Sequence, residues 1–449
     1  MRYSILFTVI LIFSSIVLGQ SISARNWLDY RGAKSGHSYF EDRANLGSSW
    51  NDFSAGLVYW ARQPSRFNYT TNSDTTFSDI VQYWLNFYSK HLQLTAGSFT
   101  YTMGMGLLID LYEKQDIQID HHCDGAMFNF ELGPLELSGF NAIAKWDDNS
   151  LVRGISPSLK IWKFKLGGEY AKIIPTLSAS QELSGGFLSF DWKFLSLYGE
   201  YGKKHPLAGL EKDGDGVFAS ASILTDIITL TAEYKDYDNF AIRNTFTQYN
   251  NPPTLVMDPL YTLPSRHIHQ VDFNDELGYS ADLLGNFGSF GTEIMFSHSE
   301  NHHSKMPFDE LWSDIEYQND DLTFLVKGAF DFQNNNGEKA YTPIVDITYE
   351  PDWTVLGFNA IAEFQHTDKF NNIYSSISAS YPAIGTFGLE GGVIEDENFA
   401  RAYTDIDIIE RTKIRLGYGK RPGGFTCSGG VCRYEEAFQG VEAQIIITY

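Results

Sequence analysis

The sequence predicts an all-β protein, a transmembrane antiparallel β-barrel of about 22 strands within a range of about 18 to 24. Three observations predict this fold. Tight turns recur about every 30 residues, apolar and polar residues alternate between the turns, and the chain ends on an apolar strand with a terminal aromatic residue, Tyr449. Aromatic residues make up 15% of the 449 residues, a composition that favours strands over helices.

The predicted turns are mostly built from Asn, Asp, Gly and Pro, which are the residues that tight turns prefer. We place them at Asn51-Asp52, Ser89-Lys90, Gly133-Pro134, Trp162-Lys163, Lys193-Phe194, Thr225-Asp226, Asn286-Phe287, Asp320-Asp321, Pro351-Asp352, Pro382-Ala383 and Glu410-Arg411. These turns delimit about 22 strands, and a last strand over residues 438–449 adds one more. An even count then needs a further strand before Tyr39 or around residues 104–111, or one turn fewer.

Alternation assigns the two faces of each strand. In residues 356–364, Leu356, Phe358 and Phe364 lie on one face, whereas Asn359 and Glu363 lie on the other. In a membrane barrel the apolar face contacts lipid and the polar face lines the lumen. A soluble β-sandwich is the alternative, but a sandwich rarely needs so many strands. The same alternation gives the pore-lining candidates Glu131, Glu233, Glu363 and Arg415.

The C-terminal strand also favours a membrane barrel over a soluble β-sandwich. Its apolar face carries Val441, Ala443, Ile445, Ile447 and Tyr449. A terminal aromatic on such a strand lies where a periplasmic aromatic girdle is expected. We therefore predict that Tyr449, with Ile447 and Ile445, is the signal for the barrel-assembly machinery, and that the outer face contacts outer-membrane lipid.

The N-terminus predicts export. Arg2 precedes an apolar run over residues 5–18, which is too short for a membrane-spanning helix. A cut before Gln20 makes residues 1–19 a cleaved signal peptide and residues 20–449 a single barrel domain in the cell outer membrane. A second cut site follows Ala24, and an uncleaved anchor is the alternative.

The formal charge of −23 disfavours a nucleic-acid partner and suits an acidic lumen or acidic external loops. With the tight turns in the periplasm, the predicted external loops include residues 63–78, 202–215, 239–273, 300–309 and 421–435. A loop as long as 239–273 is usually functional. Three conformations remain open for it: an inward constriction, an outward docking surface, or an unstructured surface loop.

The end of the chain carries a specific pattern, Cys427-Ser-Gly-Gly-Val-Cys432-Arg433 within residues 413–442. This pattern resembles the signature of an uncharacterised family of Bacteroidota-type outer-membrane β-barrels, a domain of unknown function. Residues 94–107 and three stretches within 233–279 also resemble it, so the resemblance covers nearly the whole mature chain. The family pattern has a basic residue between two glycines, where this chain has Met105. The resemblance implies fold and location, and it supplies no catalytic residue.

The sequence contains few motifs that indicate catalysis, cofactor binding or metal binding. There is no Ser-His-Asp order, phosphate loop or dinucleotide fingerprint, so we predict no enzyme activity and no cofactor. The candidates for a zinc or copper ligand set are His298, Glu300 and His302, which alternate beside an external loop. A structural zinc site needs a tighter set of four ligands, so we predict a polar loop without metal. Cys123 is predicted to be a buried thiol.

Cys427 and Cys432 are predicted to form a disulfide. Their C-x₄-C spacing is wrong for a redox-active C-x-x-C site, no second pair completes a zinc cage, and export leads to an oxidising compartment. The bond would pin the tip of the loop between the last two strands, either as a clamp or as a knob for partner docking.

Three alternative functions are compatible with this predicted barrel. The first is a channel, a porin-like passage for small polar solutes that favours cations. The alternative is a non-conducting interaction or export barrel that docks a surface or periplasmic protein partner through its external loops. The third is an enzyme at the cell surface. Single-channel conductance separates the first two.

Overall fold

The structure is a computed structural model. It describes residues 21–449 apart from 36–37, 65–75, 115–118, 148, 177–179, 207–211, 243–247, 256–259, 267–268, 270–271, 320, 322, 352–353, 383, 410 and 429–430. The predicted signal peptide therefore lies outside the described residues. So do the centres of the predicted external loops 63–78 and 202–215.

One 24-stranded antiparallel sheet contains nearly all of the described secondary structure. Its strands, in chain order, are β1 Ser21–Ser35, β2 Tyr39–Trp50, β3 Phe53–Gln63, β4 Phe77–Tyr88, β5 Leu92–Phe99, β6 Cys123–Leu132, β7 Leu135–Ala144, β8 Ser150–Ile161, β9 Phe164–Ile174, β10 Gln181–Trp192, β11 Leu195–Pro206, β12 Gly214–Leu224, β13 Ile228–Asp238, β14 Asp275–Phe287, β15 Phe290–Glu300, β16 Pro307–Gln318, β17 Phe324–Asn335, β18 Glu338–Tyr349, β19 Gly357–Thr367, β20 Asn371–Tyr381, β21 Gly385–Ile394, β22 Glu397–Ile409, β23 Thr412–Arg421 and β24 Phe438–Thr448.

The sheet closes on itself. β24 pairs with β23 on one side and with β1 on the other, in a register that runs from Arg25 opposite Thr448 to Ser35 opposite Gln439. Closure pairs the two edges that an open sheet would expose. The predicted transmembrane antiparallel barrel is confirmed, with a strand count at the upper end of the range. The extra strand is β1, which lies before Tyr39.

The predicted tight turns lie between strands that pair with each other. Four of the predicted turn residues, Asp320, Asp352, Ala383 and Glu410, lie outside the described residues. The turn predicted at Asn286-Phe287 lies instead at Gly288 and Ser289, because β14 extends to Phe287 and Gly288 adopts a φ of 72°. Trp162 and Lys193 also take positive φ values in their turns. Such a conformation is usually left to Gly or Asn, which explains why these two turns carry little sequence signal.

The outer face of the barrel is apolar. On β13, Ile228, Leu230 and Tyr234 point outward and are exposed, whereas Glu233 and Lys235 point inward. Aromatic side chains near the tight turns form contacts between neighbouring strands, among them Trp50 with Phe53, Phe164 with Phe190, and Phe290 with Tyr317. A lipid-facing apolar band with an aromatic girdle has this arrangement.

The remaining elements lie in the longer connections. Short hairpins pair Tyr101–Thr102 with Asp110–Leu111, Glu113–Lys114 with Ile119–Asp120, and Gly424–Ser428 with Val431–Glu435. One 3₁₀ turn spans Pro264–Arg266. In the part of the chain that the structure describes, none of the helical elements has the length and apolarity needed to cross a membrane.

Tyr449 provides a test of the assembly signal. Its backbone N–H donates to the carbonyl of Ala24 at the seam of the barrel, and its side chain is exposed on the outer face. Tyr449→Lys should lower the amount of assembled barrel, because it removes the terminal aromatic and places a charge on the lipid-facing end of the strand. Cell fractionation combined with the heat-dependent gel mobility of folded barrels measures this.

The matched control is Tyr434→Lys, which changes an equally exposed aromatic on the Gly424–Ser428 and Val431–Glu435 hairpin. This control should assemble normally. Normal amounts of heat-modifiable Tyr449→Lys protein in the outer membrane would refute the role of the C-terminal aromatic.

Candidate lumen constriction

The connection between β5 and β6 folds into the barrel. We call residues 100–114 the plug segment. Five of its apolar side chains are at most 1% exposed, and they are Met103, Leu107, Leu108, Ile109 and Leu111. They pack against inward-facing residues of β7 to β10, which are Phe140, Ala142, Ala144, Val152, Ala171, Ile173 and Leu183. The lumen wall is therefore apolar at this level, and the plug segment covers it.

Part of the 239–273 loop lies over the plug segment. The N–H of Asp110 donates to the carbonyl of Tyr249 (2.8 Å), and the side-chain amide of Asn250 donates to the carbonyl of Leu107 (3.1 Å). Asn250 is 1% exposed. The hydroxyl of Tyr249 donates to Asp147 in the turn after β7. The two inward segments thus satisfy each other's backbone groups, as buried irregular chain requires.

Glu200 on β11 holds the turn of the plug segment. Its Oε2 accepts hydrogen bonds from the N–H of Met105 (2.8 Å) and the hydroxyl of Tyr198 (2.6 Å). Gly104 packs directly on this carboxylate with a φ of 53°, so a side chain there would be strained and would collide with Glu200. Met105 thus contributes its backbone N–H to this contact.

A second inward stretch, residues 260–266, crosses to the opposite wall, and we call it the strap segment. Its backbone N–H groups at Thr262 (3.0 Å) and Leu263 (2.6 Å) donate to the carboxylate of Glu363 on β19. The amide of Gln365 donates to the carbonyl of Leu263 (3.0 Å). The ring of Tyr261 stacks on that of Trp312, with 6.0 Å between centroids. Of the conformations left open for the 239–273 loop, its described residues therefore fit the inward one.

The strap segment also reaches the C-terminal hairpin. Arg266 donates to the carbonyl of Gly423, and burial lowers the pKa of its guanidinium. In the same hairpin, Glu435 pairs with Arg421 (2.8 Å) and Arg433 (2.7 Å). Burial raises the pKa of Glu435, but these guanidinium groups outweigh it and leave that pKa lowered. The constriction and the hairpin are therefore in contact.

The histidine clusters have structural partners. His121 stacks on Trp146 (4.4 Å between centroids), and burial lowers its pKa to about 4. His298 contacts Asp309 at 2.7 Å. His302 contacts Asp275 at 2.7 Å and Asp236 at 3.0 Å. Glu300 pairs with Lys305. Among the residues with a described position, no group of three or more His, Cys, Asp and Glu side chains is arranged to hold a metal ion.

The pore-lining candidates differ in their surroundings. Glu131 is exposed toward the lumen, and Glu233 accepts a hydrogen bond from Ser280. Glu363 is 3% exposed beneath the strap segment, so its carboxylate anchors the backbone and does not border open water. Arg415 pairs with Asp405 at 2.8 Å. Cys123 is a buried free thiol, as predicted.

The sequence contains a pattern that indicates the plug segment. The pattern is a change along each strand, and assigning residues to two faces does not detect it. The lumen-facing positions of β7 to β9 change from polar near the tight turns to apolar farther along, for example from Ser138 to Phe140 and Ala142. A water-filled lumen would stay polar along the strand. Apolar residues on both faces of one half of a strand therefore indicate a covered lumen wall.

These features define a class, an outer-membrane-type β-barrel whose lumen contains inward-folded segments. The chain belongs to a family of unknown function, DUF6029, whose model matches residues 33–338 and 396–449. The resemblance to an uncharacterised family is therefore confirmed. The Bacteroidota origin stays a prediction. A search of curated proteins finds no match.

Solved structures show the same fold. The chain is similar to the P pilus usher PapC translocation pore at 8% identity and a TM-score of 0.50, over 96% of this chain and 98% of that chain. It is also similar to a chain of the E. coli P pilus tip assembly intermediate PapC-PapD-PapK-PapG at 10% identity and a TM-score of 0.58, over 95% and 60%. At these identities the likeness concerns the fold alone.

The C-terminal hairpin tests the predicted disulfide. Cys427 and Cys432 are register partners in its backbone pairing. We expect no thiol labelling of these residues in the Cys123→Ser protein before reduction, and labelling of both after it. A ring this short contributes only about 2 kcal/mol, so Cys427→Ser with Cys432→Ser should leave the barrel folded. Two free thiols in the native outer membrane would rule out the bond.

Proposed function

We propose that this protein is an outer-membrane barrel with a restricted passage for small polar solutes. The observation that carries the proposal is the attachment of the plug and strap segments to opposite parts of the lumen wall. A 24-stranded barrel is much wider than its own side chains can fill. Inward segments narrow such a lumen, so that only small solutes pass between them.

The charge of the lumen supports a preference for cations. The inward-facing carboxylates of β13 to β18 are Glu233, Glu276, Asp282, Glu293, Glu310, Asp314, Glu316, Asp331 and Asp346. The inward-facing lysines of these strands are Lys235 and Lys327, which pair with Glu276 and Asp314. This part of the wall is therefore negative overall, and a ring of carboxylates attracts cations.

The opposite part of the wall does not offset this charge. Two of its arginines are held in ion pairs: Arg31 with Glu442 (2.9 Å), Arg401 with Glu390 (3.1 Å) and Glu442 (2.9 Å). The carboxylates of Glu390 and Glu442 match the charges of these two arginines. The net field in the lumen is set by the β13 to β18 wall.

The second candidate function is a non-conducting barrel that docks or exports a protein partner. The complete burial of Leu107, Leu108 and Ile109 favours it, because a plug packed this tightly resists displacement by small solutes. The usher in the similar structure is part of an assembly with PapD, PapK and PapG. In this candidate the external loops and the Gly424–Ser428 and Val431–Glu435 hairpin would contact the partner.

Conductance tests the restricted passage. Glu363→Leu removes the acceptor of two backbone N–H groups, and each unsatisfied buried group costs about 1–3 kcal/mol. The strap segment should detach from β19, and the single-channel conductance of the purified barrel in a planar bilayer should rise severalfold above that of the wild type.

Glu131→Leu is the matched control, since it removes one exposed lumen carboxylate without touching the strap segment. It should leave the conductance close to the wild-type value. A wild type that never conducts, with conductance only in Glu363→Leu, would favour the docking or export barrel. Equal conductance of Glu363→Leu and wild type would contradict the constriction.

Ion selectivity tests the acidic wall. Glu293→Gln combined with Glu316→Gln should shift the reversal potential in a KCl gradient toward zero, because both carboxylates face the lumen on β15 and β16. Glu397→Gln, at the exposed start of β22, is the control and should change it little. Anion preference of the wild-type channel would overturn the proposed selectivity.

A further inference from the structure

A cavity of about 440 Å³ lies in the lumen between the plug segment and the tight-turn end. Its roof includes Thr102 and Met105 of the plug segment, and its walls come from β5 to β11. Glu131 and Glu136, which flank the turn at Gly133-Pro134, mark its lower rim. The volume falls within the range of about 300–1,000 Å³ typical of small-molecule sites. We call it the hydroxyl cavity.

Neutral hydrogen-bonding groups dominate its wall. Ser138 and Ser156 are register partners on β7 and β8, and Ser189 and Tyr198 are register partners on β10 and β11. Each of these residues lines the cavity. Side-chain amides are contributed by Gln93 and Asn129. Hydroxyl and amide groups both donate and accept, so this wall suits a ligand that does the same at many positions.

An aromatic pair stands beside these hydroxyls. The rings of Phe187 and Tyr198 are stacked, with 6.1 Å between centroids and 20° between planes. Phe187 packs against Gly167 on the neighbouring strand. An aromatic face surrounded by hydrogen-bonding groups matches a ligand whose ring carries C–H groups on its face and hydroxyls at its edge.

The cavity has a net charge of about −1, contributed by the carboxylate of Glu131 at its rim. Its other two charged residues pair with each other. Lys165 and Glu136 form an ion pair at 2.6 Å, and the Lys165 ammonium lies 5.9 Å from the centroid of Phe187. A second lumen cavity, of about 360 Å³, is different, because Asp226, Glu293 and Glu316 line it. We call that one the acidic cavity. The two cavities would therefore sort solutes by charge.

We propose that the hydroxyl cavity binds a neutral polyhydroxylated solute, such as a mono- or disaccharide. The ring of the solute packs against the Phe187–Tyr198 pair, and its hydroxyls exchange hydrogen bonds with Ser156, Ser189 and Asn129. The Lys165–Glu136 pair supplies one charged donor and one charged acceptor and adds no net charge. The inference rests on the proposed function, because it names the solute class of the same passage.

Binding to the purified full-length barrel in detergent tests the site by isothermal titration calorimetry. The probes are glucose and maltose, with choline and glutarate as charged comparators. We expect saturable binding of at least one sugar and none of glutarate. Phe187→Leu keeps an apolar side chain but loses the ring face, and it should weaken sugar binding about tenfold. Ser156→Ala combined with Ser189→Ala should weaken it severalfold.

Thr229→Val, which alters a hydroxyl of the acidic cavity, is the matched control and should leave sugar affinity unchanged. Heat-dependent gel mobility verifies that each variant is folded. Folded wild type that binds neither sugar, or Phe187→Leu that binds like the wild type, would overturn the proposal. Choline binding that Phe187→Leu abolishes would replace it with a cation site. Sugar binding without conductance would refute the proposed passage but support the sugar site. Conductance without sugar binding would support the passage but refute the sugar site.

Discussion

The structure depends on one constraint: irregular backbone inside a barrel must find hydrogen-bond partners there. Wall carboxylates supply many of them. Glu200 accepts from the N–H of Met105, and Glu363 accepts from Thr262 and Leu263. Glu276 likewise accepts from the N–H of Asp272, at 2.7 Å. Part of the acidic composition of the chain is thus used to hold inward segments in place.

The barrel itself was largely predictable. Tight-turn chemistry located the strand pairs, and alternation assigned their faces, because both are local properties of the chain. β1 was the exception, expected only through the even strand count. It follows the predicted signal peptide directly, and no tight turn marks its start. Its closure against β24 is a contact between the two ends of the chain, which local pattern does not encode.

The constriction was only partly predictable. The sequence shows the glycines at 104 and 106 and the length of the 239–273 loop, but the contacts of these segments join residues far apart along the chain, as between Leu263 and Glu363, which are 100 positions apart. Alternation predicts that Glu363 faces the lumen, and its carboxylate contacts the strap segment. It could not distinguish a carboxylate that borders water from one that binds backbone, since both occupy the same face of a strand.

The attachment points are compatible with the proposed passage through a plugged barrel. The plug segment is bound to the walls of β7 to β11, and the strap segment is bound to the walls around β16 to β19. Each therefore covers its own part of the lumen. Below them lie two cavities with different linings, one of hydroxyls and one of carboxylates. If one continuous water-filled pore filled the lumen, wall chemistry would have little influence on a small solute near its centre. Because the inward segments narrow the lumen, a solute of the proposed passage would have to approach the wall, where the local side chains would decide which solutes are held.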